Sequence, residues 1–276
     1  MARVLTALML TGLATGPALA GWGGFHWQAG QVLNYRVEQQ TTATEVSNGS
    51  TSETKTKLTL VKRWQVQGVD GTVATLQYSL TRLRMETTTP SGETMLFDSA
   101  DPDKSDPKLR EQMSKYVGVP LATLRINTKG HVIEVKDLKF GQASRFEAEL
   151  PFGLEFTAGA ALLPNASWDR SYNITQEPPL GTGEKYEAVQ HYTCTKAEKP
   201  MATVSLTTEL KTEPPGLADR VPLLQFQPEG VIVFDALNGR MHSAQLKVNK
   251  ELKGHAGEGS SYTFQSTYSE QFVGDR

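Results

Sequence analysis

Gly254-His255-Ala256-Gly257-Glu258-Gly259-Ser260-Ser261 combines glycine with reactive side chains more densely than any other part of this sequence. His255, Glu258 and Ser260 are a base, an orienting carboxylate and a hydroxyl nucleophile, the set from which an exported hydrolase could be assembled. The segment lacks the Gly-Lys-Ser/Thr ending of a phosphate loop and does not read Gly-x-Ser-x-Gly. A long hairpin loop between the alternating runs Leu246–Leu252 and Tyr262–Tyr268 accounts for the same glycines without catalysis. Geometry separates the two readings. In a working set, His255 and Ser260 approach to about 3.2 Å or face one shared substrate site.

Two other clusters carry metal-like spacing. His191-x2-Cys194 falls in a strand pattern, and residues three apart on a strand point to opposite faces, so the two cannot chelate one ion. Asp101-x-Asp103-x-Ser105 echoes the opening of a calcium loop, but Asp106 replaces the required glycine and Gln112 stands where a bidentate Glu is needed. Asp106-Pro107 reads better as a helix cap followed by proline at the first helical position. No metal site and no cofactor are expected.

The elements that would position these groups are strands. Leu58, Leu60, Trp64 and Val66 share one parity, as do Ala74, Leu76, Tyr78 and Leu80, then Val204, Leu206 and Leu210, then Leu246, Val248 and Leu252. Alternate positions carry Thr, Ser, Lys, Gln and Arg, the pattern of antiparallel strands with one buried face and one wet face. Thr128-Lys129-Gly130 and Gly68-Val69-Asp70-Gly71 mark turns, and Asn238-Gly239 predicts a type I′ hairpin. The Thr-rich tract 41–56 extends a strand into a mobile polar tip. Helix is confined to the middle of the chain: Leu109, Met113, Tyr116 and Val117 fall at helical spacing, and a second segment is expected over Asp137–Leu150.

The chain has 276 residues, 28 Lys+Arg against 30 Asp+Glu, one cysteine and 30 threonines. Near-neutral charge removes the electrostatic basis for nucleic-acid binding. Met1–Ala20 reads as a secretory signal peptide, with Arg3, an apolar run from Val4 to Leu13, and the small-x-small site Ala18-Leu19-Ala20. No later stretch approaches a membrane span. The expected destination is the periplasm or the outside of the cell. In such a compartment Cys194, on the apolar parity of its strand, should be buried and idle.

Pro179-Leu180-Gly181-Thr182-Gly183-Glu184-Lys185-Tyr186 and Gly257-Glu258-Gly259-Ser260-Ser261-Tyr262 resemble an uncharacterised family of secreted bacterial proteins, known only as a domain of unknown function. Trp168-Asp169-Arg170-x-Tyr172, Phe234-Asp235 and Lys250-Glu251-Leu252 are similar too. The resemblance implies export and a bacterial source, and brings no activity with it.

The expected fold is mainly β: antiparallel meanders forming a curved sheet or sandwich, with one or two inserted helices. After the leader, residues 21–150 form one meander carrying the helical insertion and 151–276 a second, able to share its sheet. Segments such as Tyr35–Thr44 and Tyr186–Thr195, or Ser79–Thr81 and Ser205–Thr207, raise a diverged β repeat. The function expected of such a chain is non-catalytic: exported binding or envelope association, with an apolar small molecule, a lipid or another envelope protein as partner. Trp64, Tyr78 and Phe264 are the expected ligand-facing residues.

Overall fold

The alternating runs do become strands, and all of them join one sheet. The computed structural model describes residues 23–178 and 181–275, so the expected leader, Met1–Ala20, lies outside the described residues. The first half of the chain contributes β1 (Val32–Ser47), β2 (Ser50–Asp70), β3 (Val73–Thr88), β4 (Thr94–Asp98), β5 (Pro120–Asn127) and β6 (Val132–Lys136). The second contributes β7 (Ser167–Gln176), β8 (Glu184–Glu198), β9 (Met201–Leu210), β10 (Glu229–Asp235), β11 (Arg240–Lys253) and β12 (Ser261–Gly274). Their order is β6-β5-β3-β2-β1-β12-β11-β10-β9-β8-β7, with β4 paired to β3, and every pairing is antiparallel. One meander therefore runs outward from the centre and the other runs inward to it, and β1 joins β12 from Asn34 to Val46. The matched segments at Tyr35 and Tyr186 fall on β1, at the centre, and on β8, next to an edge, so they occupy unequal places in the sheet.

The sheet curls over its apolar face. Its two end strands, β6 and β7, line a single cleft, which a flat sheet of this width would forbid. The enclosed core draws Trp64, Tyr35, Leu124, Ile126, Val204, Tyr192 and Phe234 from strands across the sheet. Phe152, from the connection between β6 and β7, sits among Phe25, Trp27, Tyr35 and Trp64 with ring centroids 5.4 to 5.8 Å away. Fully burying a residue of this size is worth about 1.5–3 kcal/mol. Cys194 is buried and free, and burial pushes its thiol pKa up.

Short helices serve as covers. Asp106 caps α1 (Pro107–Met113) by accepting from the backbone N–H groups of Lys108 at 2.9 Å and Leu109 at 3.2 Å. Leu109, Met113, Tyr116 and Val117 then pack on a second cluster built from Val37, Leu60, Leu80, Leu83 and Phe97. The helix expected over 137–150 is only α2 (Arg145–Ala148). Positive φ at Asp137 (52°) and Gly141 (77°) breaks the segment before a helix can propagate. A third cover, α3 (Leu217–Arg220) followed by a 3-10 turn Val221–Phe226, brings Leu223 onto Ile174 and Ala188.

The turns exchange roles relative to expectation. Asn238 has no positive φ; Asp235 pairs with Arg240 across a four-residue loop, and the Asp235 carboxylate accepts from the Asn238 backbone N–H at 3.0 Å. The two-residue turn of the I′ kind is Asn48-Gly49, with φ of 51° and 76°, closing β1 onto β2. The Thr-rich tract is paired strand up to that turn.

Candidate functional site

Pairing registers place the inward residues in rows across the centre of the sheet. Lys62, Tyr35 and Phe272 form one row; Leu60, Val37 and Glu270 the next; Leu58, Gln39 and Tyr268 the next; Thr56, Thr41 and Ser266 follow, then Thr54, Ala43 and Phe264. The wall thus changes along the strands from aromatic core, through a charged row, to an amphipathic floor.

Lys62 of the first row and Glu270 of the second form an ion pair, with Lys62 partly buried and Glu270 buried. Lys62 Nζ lies 3.1 Å from Glu270 Oε2 and donates to Tyr268 Oη at 2.8 Å, while the Tyr268 hydroxyl donates to Glu270 Oε2. Glu270 is 4% exposed, and its Oε1 is buried without a hydrogen-bond partner among the described residues. Burial, followed by the Glu270 carboxylate, holds the Tyr268 and Tyr78 hydroxyls well above the usual phenol range. Of these groups the sequence reading singled out Tyr78, as a ligand-facing residue, and missed the Lys62–Glu270 pair. Lys62 stands between Leu60 and Trp64, and Glu270 between Tyr268 and Phe272, so a charge on an apolar parity was the available signal.

Beyond that row lies an open cleft of about 220 Å³ lined by Gln39, Thr41, Thr56, Leu58, Phe264 and, from the 3-10 cover, Gln225. Its polar floor is internally bonded: Gln39 Nε2 donates to Ser266 Oγ at 3.3 Å, and the Thr41 and Ser266 hydroxyls are 3.0 Å apart. Leu58 and Phe264 supply the apolar walls. Of the three expected ligand-facing residues, only Phe264 borders this cleft. Trp64, 2% exposed inside the packed core, stacks on Tyr78 with centroids 4.6 Å apart, and Tyr78 is partly buried against that core.

The glycine-rich segment forms the β11–β12 hairpin loop. Ser260 Oγ donates to the Gly257 carbonyl at 2.7 Å and accepts from the Ala256 N–H at 2.9 Å, which ties the hydroxyl into the loop backbone. His255 instead directs Nε2 to Glu45 Oε1 on β1 at 3.1 Å and sets its ring 6.0 Å from Tyr262. Glu258 is exposed and, among the described residues, has no ion pair or side-chain hydrogen bond. The structure does not bring His255, Glu258 and Ser260 together.

A larger cleft, about 400 Å³, lies between β6 and β7 and includes His131, Glu134, Glu147, Glu155, Arg170 and Tyr172. Arg170 is 4% exposed and fully engaged: Nε bonds Glu155 Oε2 at 2.7 Å, one terminal nitrogen bonds Gln190 Oε1 at 3.2 Å, and the other bonds the Glu147 carbonyl. His131 Nδ1 lies 3.0 Å from the other Glu155 oxygen. Among the described residues no group of three or more His, Cys, Asp or Glu could hold a metal ion. No helix among them is long and apolar enough to cross a membrane.

No protein-family profile and no curated protein matches the chain. Among solved structures it is similar to lipovitellin, described for its lipid–protein interactions, at 13% identity and a TM-score of 0.47 over 90% of this chain and 26% of that one. The chain thus spans about a quarter of lipovitellin's length. It is also similar to DynF of the dynemicin biosynthesis pathway of Micromonospora chersina, at 8% identity and a TM-score of 0.24, covering 98% of this chain and 93% of that one. An outer membrane channel from Pseudomonas putida F1 follows at 6% identity and a TM-score of 0.22, covering 90% and 97%.

Proposed function

We propose that this chain is a non-catalytic exported binding protein of the cell envelope that seats an apolar, lipid-like chain on the inner face of its curled sheet. The observation that carries the reading is the cleft at Leu58 and Phe264. Two apolar side chains there flank a hydroxyl-and-amide floor whose polar groups already satisfy one another. Such a surface gains by covering its apolar walls and loses little by covering its floor. At about 220 Å³ it lies below the usual range of enclosed ligand sites, so it grips a segment of a chain and leaves the remainder in solvent. Met1–Ala20, read as a leader, supports export to the periplasm or beyond. The glycine-rich loop adds no support to hydrolysis, because its Ser260 hydroxyl is committed to the loop backbone.

Titration with a fluorescent long-chain fatty acid tests this. Saturable binding is expected, weakened about tenfold or more by Phe264→Asp and left unchanged by Ser260→Ala, a tenfold loss being ~1.4 kcal/mol. Absence of saturable binding, or equal binding by Phe264→Asp, contradicts it.

A further inference from the structure

The 400 Å³ cleft has a feature the lipid reading does not use: one wall is the unpaired edge of a β-strand. In an antiparallel pair each residue directs both backbone groups either toward its partner strand or away from it. On β7 the Asp169 carbonyl accepts from Thr157 Oγ1 at 2.8 Å, and the Asn173 N–H donates to Glu147 Oε1 at 3.0 Å. Neither bond involves β8, so these residues face the free edge. Ser171 lies midway, the pairing of Ser167–Gln176 with β8 shows no bulge, and so its N–H and C=O face the cleft as well. Side chains thus occupy the edge groups on either side of exposed Ser171, whose own backbone pair has no partner across that edge among the described residues.

The surroundings specify what fits. Val132 and Val135 of β6 stand opposite, with Phe146, Leu150 and Tyr172 between, so alternate side chains of an extended segment would meet apolar surface. Of the lining carboxylates, Glu134 is paired with Arg125 at 3.7 Å and Lys136 at 3.2 Å, and Glu155 with Arg170 at 2.7 Å, so Glu147 is the one with no cationic partner among the described residues. Glu147 is exposed, and its bond to Asn173 can be exchanged for another acceptor.

We propose that this seam binds an extended, basic polypeptide segment by strand addition to β7. The incoming backbone pairs with Ser171 and takes the Asn173 N–H from Glu147. The released Glu147 carboxylate then faces a lysine or arginine of the ligand, while apolar residues of the other parity fill the seam. Main-chain pairing supplies affinity, and the pockets for alternate side chains supply selectivity. This inference is independent of the acyl-chain cleft, which lies on other strands.

The test is calorimetric titration of the full chain with short capped peptides that alternate valine and lysine. Binding at one peptide per chain is expected, at least about tenfold weaker for the valine–glutamate peptide and lost when alternate amides are N-methylated, a tenfold step being ~1.4 kcal/mol. Glu147→Lys should reverse the charge preference, and Ser171→Pro should abolish binding. Glu147→Lys is the decisive variant should Ser171→Pro fail to fold. Equal binding of the N-methylated peptide, an unchanged charge preference in Glu147→Lys, or no binding of the valine–lysine peptide at millimolar concentration overturns the proposal. So does sedimentation showing the seam covered by a second copy of the chain.

Discussion

The residues that define this molecule's interior chemistry are charges on the wrong parity. Lys62, Glu270 and Arg170 each occupy an inward position between large apolar neighbours, and each is held by a partner from a distant strand or crossing segment. Removing one member of a buried pair leaves the other uncompensated, at a cost of about 3–5 kcal/mol. Lys62→Met should therefore lower the urea midpoint strongly, while Lys62→Met combined with Glu270→Leu should recover much of the loss. If both variants are equally destabilised, the pair is not what the single substitution disturbs. Parity made these positions legible as inward. It could not name their partners, because alternation assigns a residue to a face and says nothing of which strand lies beside it. For the same reason Trp64, Tyr78 and Phe264 read alike in sequence, although Phe152 packs on Trp64, which stacks on Tyr78, while Phe264 borders a cleft. The loop residues His255, Glu258 and Ser260 were legible as a hairpin loop, and the backbone bonds of Ser260 are what spend its hydroxyl.

At the scale of elements, strands were the readable part. Their periodicity survives wherever one face is buried, which holds along most of β2, β3, β9, β11 and β12. The covers were less readable, since their apolar residues answer to the sheet beneath them more than to helical spacing. α1 is the exception, because Asp106 and Pro107 announce its start. Asp106→Ala should cost about 1 kcal/mol, measurable as a lower thermal midpoint. A second element-scale test concerns the turn before β6. Gly130 has φ of 85°, and a Cβ there would lie 2.5 Å from the Leu154 carbonyl oxygen and 2.6 Å from the Phe25 ring. Gly130→Ala should therefore destabilise by more than the roughly 1 kcal/mol of a relaxed left-handed site, and the loss should appear in exchange protection of β5 and β6. Unchanged protection there would show that the crossing segment does not bear on this turn.

The whole molecule is one sheet curled around an aromatic core, and its tyrosines report on that enclosure. Burial raises the hydroxyls of Tyr35, Tyr78, Tyr192 and Tyr268, and carries Tyr172 to about 12, from an ordinary value of 10.0. A group whose pKa is raised by folding contributes fully below its unfolded value and loses that contribution as pH climbs toward the folded one. Stability should therefore fall from about pH 10 upward, with tyrosinate absorbance and loss of β-sheet dichroism rising together. Ionisation of most tyrosines before any loss of sheet would mean that the core is open to solvent. The central claim, an acyl-type ligand on the inner face, is met most directly by native mass spectrometry of the protein expressed in bacteria and purified without organic solvent. The account predicts a population carrying one amphiphile, released by solvent extraction and absent in Phe264→Asp. A ligand-free spectrum for the unextracted protein, or an equal adduct on Phe264→Asp, would contradict it.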